Sequence, residues 1–258
     1  MSQVAMNPLV AKLRTFVDLP PEDEAFLETV CRTRRAVAAG ETIIRQTDDP
    51  DRVTLGFNGF LARYKTLPDG RTQIVGYMVP GDFSDLHAFT PKSLDDDVKA
   101  IDDGVVVDLD RRRLASLFER PAVAEGLFFS SQIDEATARE WILNVGRRSP
   151  HERVAHLLCE LFLRLRIAGR AEEDACPLPM TPADLAETTG LSVVQVVRAL
   201  SEFETDRIIR LEAGRLTIFD PVRLRSTAGF SARYLQIDDD WGRRHPGPSD
   251  NPDASLGR

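Results

Sequence analysis

No lysine follows residue 99, no apolar run approaches the ~20 residues that cross a bilayer, and only three cysteines and four histidines occur in 258 residues. Each shortage closes off a class of function. A helical membrane span is not expected, and the opening MSQVAMNPLVAKLRTF lacks the continuous apolar core of a secretory signal, so the expected compartment is the cytoplasm. Cys31, Cys159 and Cys176 are scattered and odd in number, which supplies neither a disulfide framework nor a paired-cysteine metal site. His151, His156 and Cys159 do not share one helical face as a metal triad would, and His156 reads as a packed helix histidine. The H-x-H pattern of a metal-binding jelly-roll enzyme is missing. So are a Gly-rich phosphate loop, a nucleophile elbow and paired catalytic acids. No enzymatic activity and no metal are expected.

Positive charge is also short, with a net charge of −8. Its distribution is uneven. Residues 147–235 hold 13 basic against 12 acidic side chains, leaving 20 against 29 in the rest of the chain. Every cation of the second half is arginine, the side chain suited to bidentate phosphate and guanine contacts.

Three regions are present. From Arg35 to Leu109 short alternating runs are punctuated by turns: AAGETIIRQ, VTLGFNGFLARYK, RTQIVGYMVPGDF and VVVDLD. Asp69-Gly70 between the runs Leu61, Arg63, Lys65 and Thr72, Ile74, Gly76 is a strong hairpin signal. Gly40, Gly59 and Gly81 mark corners, and the pattern as a whole is that of a sandwich, barrel or jelly roll. At Arg111 the period changes. RRRLASLFER forms a short helix, and Pro121 opens one of about 26 residues, ~39 Å long. Two apolar stripes mark that helix: Phe129, Ile133, Ala136 and Leu143, then Leu127, Ala138, Trp141 and Val145. They imply two packing partners, either two layers of the same chain or one layer and a symmetry mate. Leu127, Ile133, Ala138, Trp141 and Val145 are the candidate dimerisation residues. A further amphipathic helix follows Ser149-Pro150, with Val154, Leu157, Leu158, Leu161, Phe162 and Leu165 inward.

Residues 180–205, MTPADLAETTGLSVVQVVRALSEFET, carry the functional signal. Thr181-Pro182-Ala183-Asp184 is a capped helix start, Gly190 a helix stop, and Ser192-Val193-Val194-Gln195 a capping box that opens a second helix. Two capped helices around a glycine turn make a helix-turn-helix. On the second helix Val196, Ala199, Leu200 and Phe203 form the inward face. Val193, Val194, Val197, Arg198 and Ser201 are left outside, with Gln195 at the border. Exposed valines are poor helix formers, so a partner surface explains them better than solvent. In a major groove valine meets thymine methyls, arginine pairs with guanine and glutamine with adenine. Ile208 to Phe219 then reads as a hairpin wing around Glu212-Ala213-Gly214-Arg215, with Arg210 and Arg215 placed for phosphate. A ligand- or protein-binding dimer that uses these helices as an interaction surface is the alternative.

AAGETIIRQ, LPDGRTQI, VPGDF, RVAHLLCELFLRL and TPADLAETTGLSVVQVVRALSEFETDRII, in that order, resemble the Crp/Fnr superfamily of bacterial transcription regulators over roughly residues 10–236. The resemblance implies an α+β chain with a β jelly roll of the cyclic-nucleotide-binding kind (10–120), a long dimerisation helix (121–147) and a winged helix-turn-helix (148–236). The polar residues 237–258 are expected to be a disordered tail. It also implies a homodimer on two-fold double-stranded DNA, read by Thr181, Ser192, Val193, Val194, Gln195, Val197, Arg198, Ser201, Arg210 and Arg215, with RNA polymerase as a further partner if the protein activates. Two departures stand out. Val193 and Val194 replace the polar opening usual in the recognition helix, which implies a different site sequence. At the effector turn (Gly81, Asp82, Asp85, His87) no Arg lies between Arg71 and Arg111, and Asp95, Asp96 and Asp97 fall where the cation for a cyclic phosphate belongs, with Lys92 or Lys99 the only substitutes. Carboxylates there repel a phosphate, so cyclic AMP is not expected to bind. Because Cys31 stands alone before residue 159, an iron–sulfur cluster is not expected either.

Overall fold

Two short helices precede the first strand of the computed structural model, which describes residues 6–46, 52–84, 86, 94 and 96–237. Helix α1 (Pro8–Leu13) starts where the Asn7 side chain accepts the amide of Leu9, and α2 (Pro21–Val30) starts at a proline with three acids in its first turn. The sequence pattern predicted neither. Seven strands follow: β1 (Arg35–Val37), β2 (Thr42–Ile44), β3 (Arg52–Asn58), β4 (Leu61–Thr66), β5 (Thr72–Met78), β6 (Asp97–Ala100) and β7 (Gly104–Asp110). They form two antiparallel sheets, ordered β1-β7-β3 and β2-β6-β4-β5. Leu55, Leu61, Met78, Val98, Val106 and Val107 fill one apolar cluster of this β-roll, and α1, α2 and the start of α4 pack against the same cluster.

The β4–β5 hairpin turns at Gly70, whose φ of +84° suits glycine, with Leu67 N–H donating to the Arg71 carbonyl at 2.8 Å. Its register departs from simple alternation at an irregularity between Arg63 and Tyr64. There is a packing reason, because this hairpin is buried on both faces. Leu61 and Met78 enter the roll, while Phe60, Ala62, Ile74, Tyr77 and Val79 join the apolar cluster built by the C-terminal helices.

Helix α3 (Arg111–Phe118) is capped by Asp110, and α4 (Pro121–Arg147) runs for 27 residues. Helix α5 (Pro150–Ile167) opens with a complete Ser149/Glu152 capping box. The six residues expected on its inner face are buried, but so are Ala155, His156, Cys159, Glu160 and Leu163, because α5 is packed almost all round. His156 lies parallel to the Tyr234 ring at 6.0 Å, and burial pushes its pKa down to about 3, so the imidazole is neutral. The chain continues through β8 (Ala175–Pro177), α6 (Pro182–Thr189), α7 (Val193–Thr205), β9 (Ile209–Glu212), β10 (Arg215–Ile218), α8 (Pro221–Ala228) and a 3-10 turn (Ala232–Leu235). The wing is three-stranded, ordered β8-β10-β9, rather than a simple hairpin. Among the described residues no helix is long and apolar enough to cross a membrane.

Candidate nucleic-acid interface and effector turn

Both helices of the 180–205 stretch are closed by their own side chains. Thr181 and Asp184 form a reciprocal capping box on α6, Gly190 ends it at φ +63°, and Ser192 and Gln195 cap α7 in the same reciprocal way. Val196, Ala199, Leu200 and Phe203 are buried beneath α7. On its outer face Val193, Val194 and Val197 remain 46%, 77% and 47% exposed. Arg198 projects beside them with a side chain 76% exposed, its Nε bonded to Glu202 Oε1 at 2.8 Å, and Ser201 lies one turn on. The first two turns of α7 thus offer apolar methyls and one guanidinium to the outside.

Several expected contacts already hold other bonds. Gln195 Oε1 accepts from both the backbone N–H and the hydroxyl of Ser192 at 3.0 Å, so the bidentate adenine contact competes with the cap. Thr181 and Ser192 are likewise capping residues. Arg215 is paired with Glu172, while exposed Arg210 stands 5.6 Å from the centre of the Phe219 ring. Sequence reasoning overlooked Glu202 and His151, which stand 2.6 Å apart beside Arg198, although the Arg-x-x-x-Glu spacing on a helix was visible.

At the effector turn two of the expected residues carry structural contacts. Gly81 (φ +98°) packs so tightly on α1 that a Cβ would meet the Pro8 carbonyl oxygen at 2.7 Å. Asp82 is buried, with Oδ1 2.6 Å from Lys12 Nζ and Oδ2 2.7 Å from Arg164 Nη2. Burial opposes its ionisation, but the Lys12 ammonium and the Arg164 guanidinium prevail and hold its pKa down at about 2. Gly81 thus packs the turn on α1, and Asp82 links α1, the turn and α5. Arg164 also donates to Glu160 at 3.2 Å, and Glu160 accepts from Trp141 Nε1 at 3.1 Å and Tyr234 OH at 2.8 Å. Burial pushes the Glu160 carboxyl up, against the pull of Arg164. Arg63 of β4 reaches this turn, where its Nη2 donates to the Phe83 and Ser84 carbonyls. Lys99 lies over the Tyr64 ring at 4.8 Å. Asp85, His87, Lys92 and Asp95 lie outside the described residues.

The five candidate dimerisation residues are divided. Leu127, Ile133 and Trp141 are buried in their own chain, where Trp141 meets Tyr77 edge-on at 6.0 Å. Ala138 and Val145 are exposed, together with Phe128, Phe129, Ile142 and Leu143. Each predicted stripe mixed inward with outward residues, because α4 packs on the β-roll at one end and on α5 at the other.

With this geometry in hand, similarity to known proteins is decisive. Residues 34–121 match the cyclic nucleotide-binding domain and residues 152–227 the Crp-like helix-turn-helix domain. Over 192 residues the chain is 30% identical to the nitrogen fixation regulation protein FixK of Bradyrhizobium diazoefficiens, spanning 74% of this chain and 80% of that one. This chain belongs to the Crp/Fnr family. Like its relatives in that family, it is a DNA-binding transcription regulator. A second relative, the transcriptional activator protein FnrL of Cereibacter sphaeroides, is 30% identical over 214 residues, 81% of this chain and 85% of that one. Both are transcription regulators rather than enzymes. The Crp/Fnr fold is also seen in FixK2 from Bradyrhizobium japonicum, which superposes with a TM-score of 0.66 at 28% identity and covers 78% of this chain and 98% of its own.

Proposed function

We propose that this regulator works in the cytoplasm as a homodimer on a two-fold DNA site, with the N-terminal half of α7 from each protomer in successive major grooves. One observation carries the proposal. Val193, Val194, Val197 and Arg198 stand exposed on a helix whose caps and inner face are complete, so that outer face lies outside the buried core. Thymine methyls and a guanine suit such a face. Enrichment of duplexes from a random pool tests it: the expected product is a palindrome with half-sites one helical turn apart. A pool that stays random at low salt, with the protein instead capturing another polypeptide through α7, would favour the alternative of a protein-interaction surface.

The dimer seam follows the exposed side of α4. Phe128, Ala138, Ile142 and Val145 fall on a 3-4 repeat, with Ile142 70% exposed. A two-fold axis brings each such residue against its mate's seam. Ile142→Glu therefore places two carboxylates in the apolar seam. We expect the dimer dissociation constant to rise by about two orders of magnitude or more, read by sedimentation equilibrium with unchanged helicity.

The reading excludes cyclic AMP as effector. Lys12 and Arg164 are both paired with the buried Asp82 carboxylate, so neither is offered to a cyclic phosphate. Calorimetric titration with cyclic AMP is expected to give no binding heat, and micromolar affinity would refute this. Where the protein activates, RNA polymerase is the expected further partner.

A further inference from the structure

Glu202 stands one turn beyond Arg198, and its two carboxylate oxygens hold different partners. Oε1 accepts from Arg198 Nε at 2.8 Å, and Oε2 meets His151 Nε2 at 2.6 Å. His151 comes from a different helix, at the second residue of α5, and its ring stands edge-on to buried Phe203 with centroids 5.7 Å apart. An Arg–Glu pair at this spacing on an exposed helix contributes little by itself, because both long side chains remain mobile. Here the carboxylate has a second anchor outside its own helix. The arginine is held through Nε, and among the described residues its two terminal nitrogens make no hydrogen bond. Those nitrogens form the fork that meets O6 and N7 of guanine.

We propose that His151 and Glu202 are positioning residues that set the base selectivity of Arg198. The proposal rests on the assignment of Arg198 to base reading. A free arginine has to lose its rotamer freedom on the base, and one already braced loses less, with an effect of about two- to tenfold per half-site. Glu202 touches no base in this scheme. Its negative charge disfavours the sugar–phosphate backbone, so removing the charge does not weaken non-specific binding. The two effects therefore move in opposite directions, which a role in folding alone would not produce. The bonds from Arg198 and His151 also hold the Glu202 carboxyl below its usual range, which keeps the brace ionised.

The test uses full-length protein and the duplex that it enriches from a random pool, with anisotropy as readout. The probe pair is that duplex and its variant at the base pair whose identity ceases to matter in Arg198→Ala. The proposal expects Glu202→Gln and His151→Ala each to lower the discrimination ratio about two- to tenfold per half-site, with binding to an unrelated duplex at low salt not weakened. His151→Gln, whose amide can still donate to Glu202, is expected to restore most of the ratio. Wild-type ratios in Glu202→Gln and His151→Ala, alongside a lost ratio in Arg198→Ala, would overturn the relay and leave base reading intact. An unchanged ratio in Arg198→Ala would overturn base reading itself, and the relay with it.

Discussion

Asp82→Asn is expected to lower the free energy of unfolding by about 3–5 kcal/mol, the range for breaking a buried ion pair from one side. The aspartate is the common partner of Lys12 and Arg164, whose side chains are 11% and 12% exposed. Without the carboxylate, Lys12 loses the partner that its position in α1 supplies. Arg164 keeps the Tyr77 carbonyl, Glu160 and the nearby charge of Asp134, and burial pushes the Glu160 carboxyl up. Urea denaturation measures the loss, and a difference under 1 kcal/mol would show that water or a rearranged side chain replaces the carboxylate. The sign with pH follows from the depressed pKa. Above the unfolded value of ~3.9 the contribution of Asp82 is fully present, and it is lost as pH falls toward about 2. Wild type should therefore lose stability through that acid window by an increment that Asp82→Asn lacks.

Arg198→Ala is expected to abolish the preference at one position of each half-site, about 1–3 kcal/mol per half-site and twice that over a symmetric site. The side chain lies on the surface and among the described residues bonds only Glu202, so thermal stability and the far-ultraviolet spectrum should be unchanged. Arg198→Lys keeps the charge and loses the fork, and should lose most of the preference while retaining non-specific affinity. Competition anisotropy with duplexes altered at that position separates the two effects. Equal discrimination in wild type and Arg198→Ala would remove this residue from base recognition.

The helix-turn-helix was legible because its signals are local. Thr181 with Asp184, Gly190, and Ser192 with Gln195 are caps completed within four residues, and they form as the spacing predicts. The 70-turn was legible for the same reason. Strand β6 (Asp97–Ala100) was hidden by its neighbouring acids, and β8 (Ala175–Pro177) by its shortness. Both owe their conformation to a partner strand far along the chain, β4 and β10 respectively. Helices α1 and α2, of six and ten residues, went unseen because they are too short to show a helical period and serve a cluster formed mainly by strands.

Residue order alone determined the element types through most of the chain, the capped pair of helices and the outward set of valines with Arg198, since period and capping depend on neighbours within a turn or two. Tertiary packing decided the rest. It placed Asp82 between a lysine 70 residues before it and an arginine 82 residues after it, turned Leu127 and Trp141 inward, and left Phe128 and Ile142 bare. Those outcomes depend on which surfaces meet across the fold, and burial and paired charge are properties of that meeting rather than of any short stretch of chain.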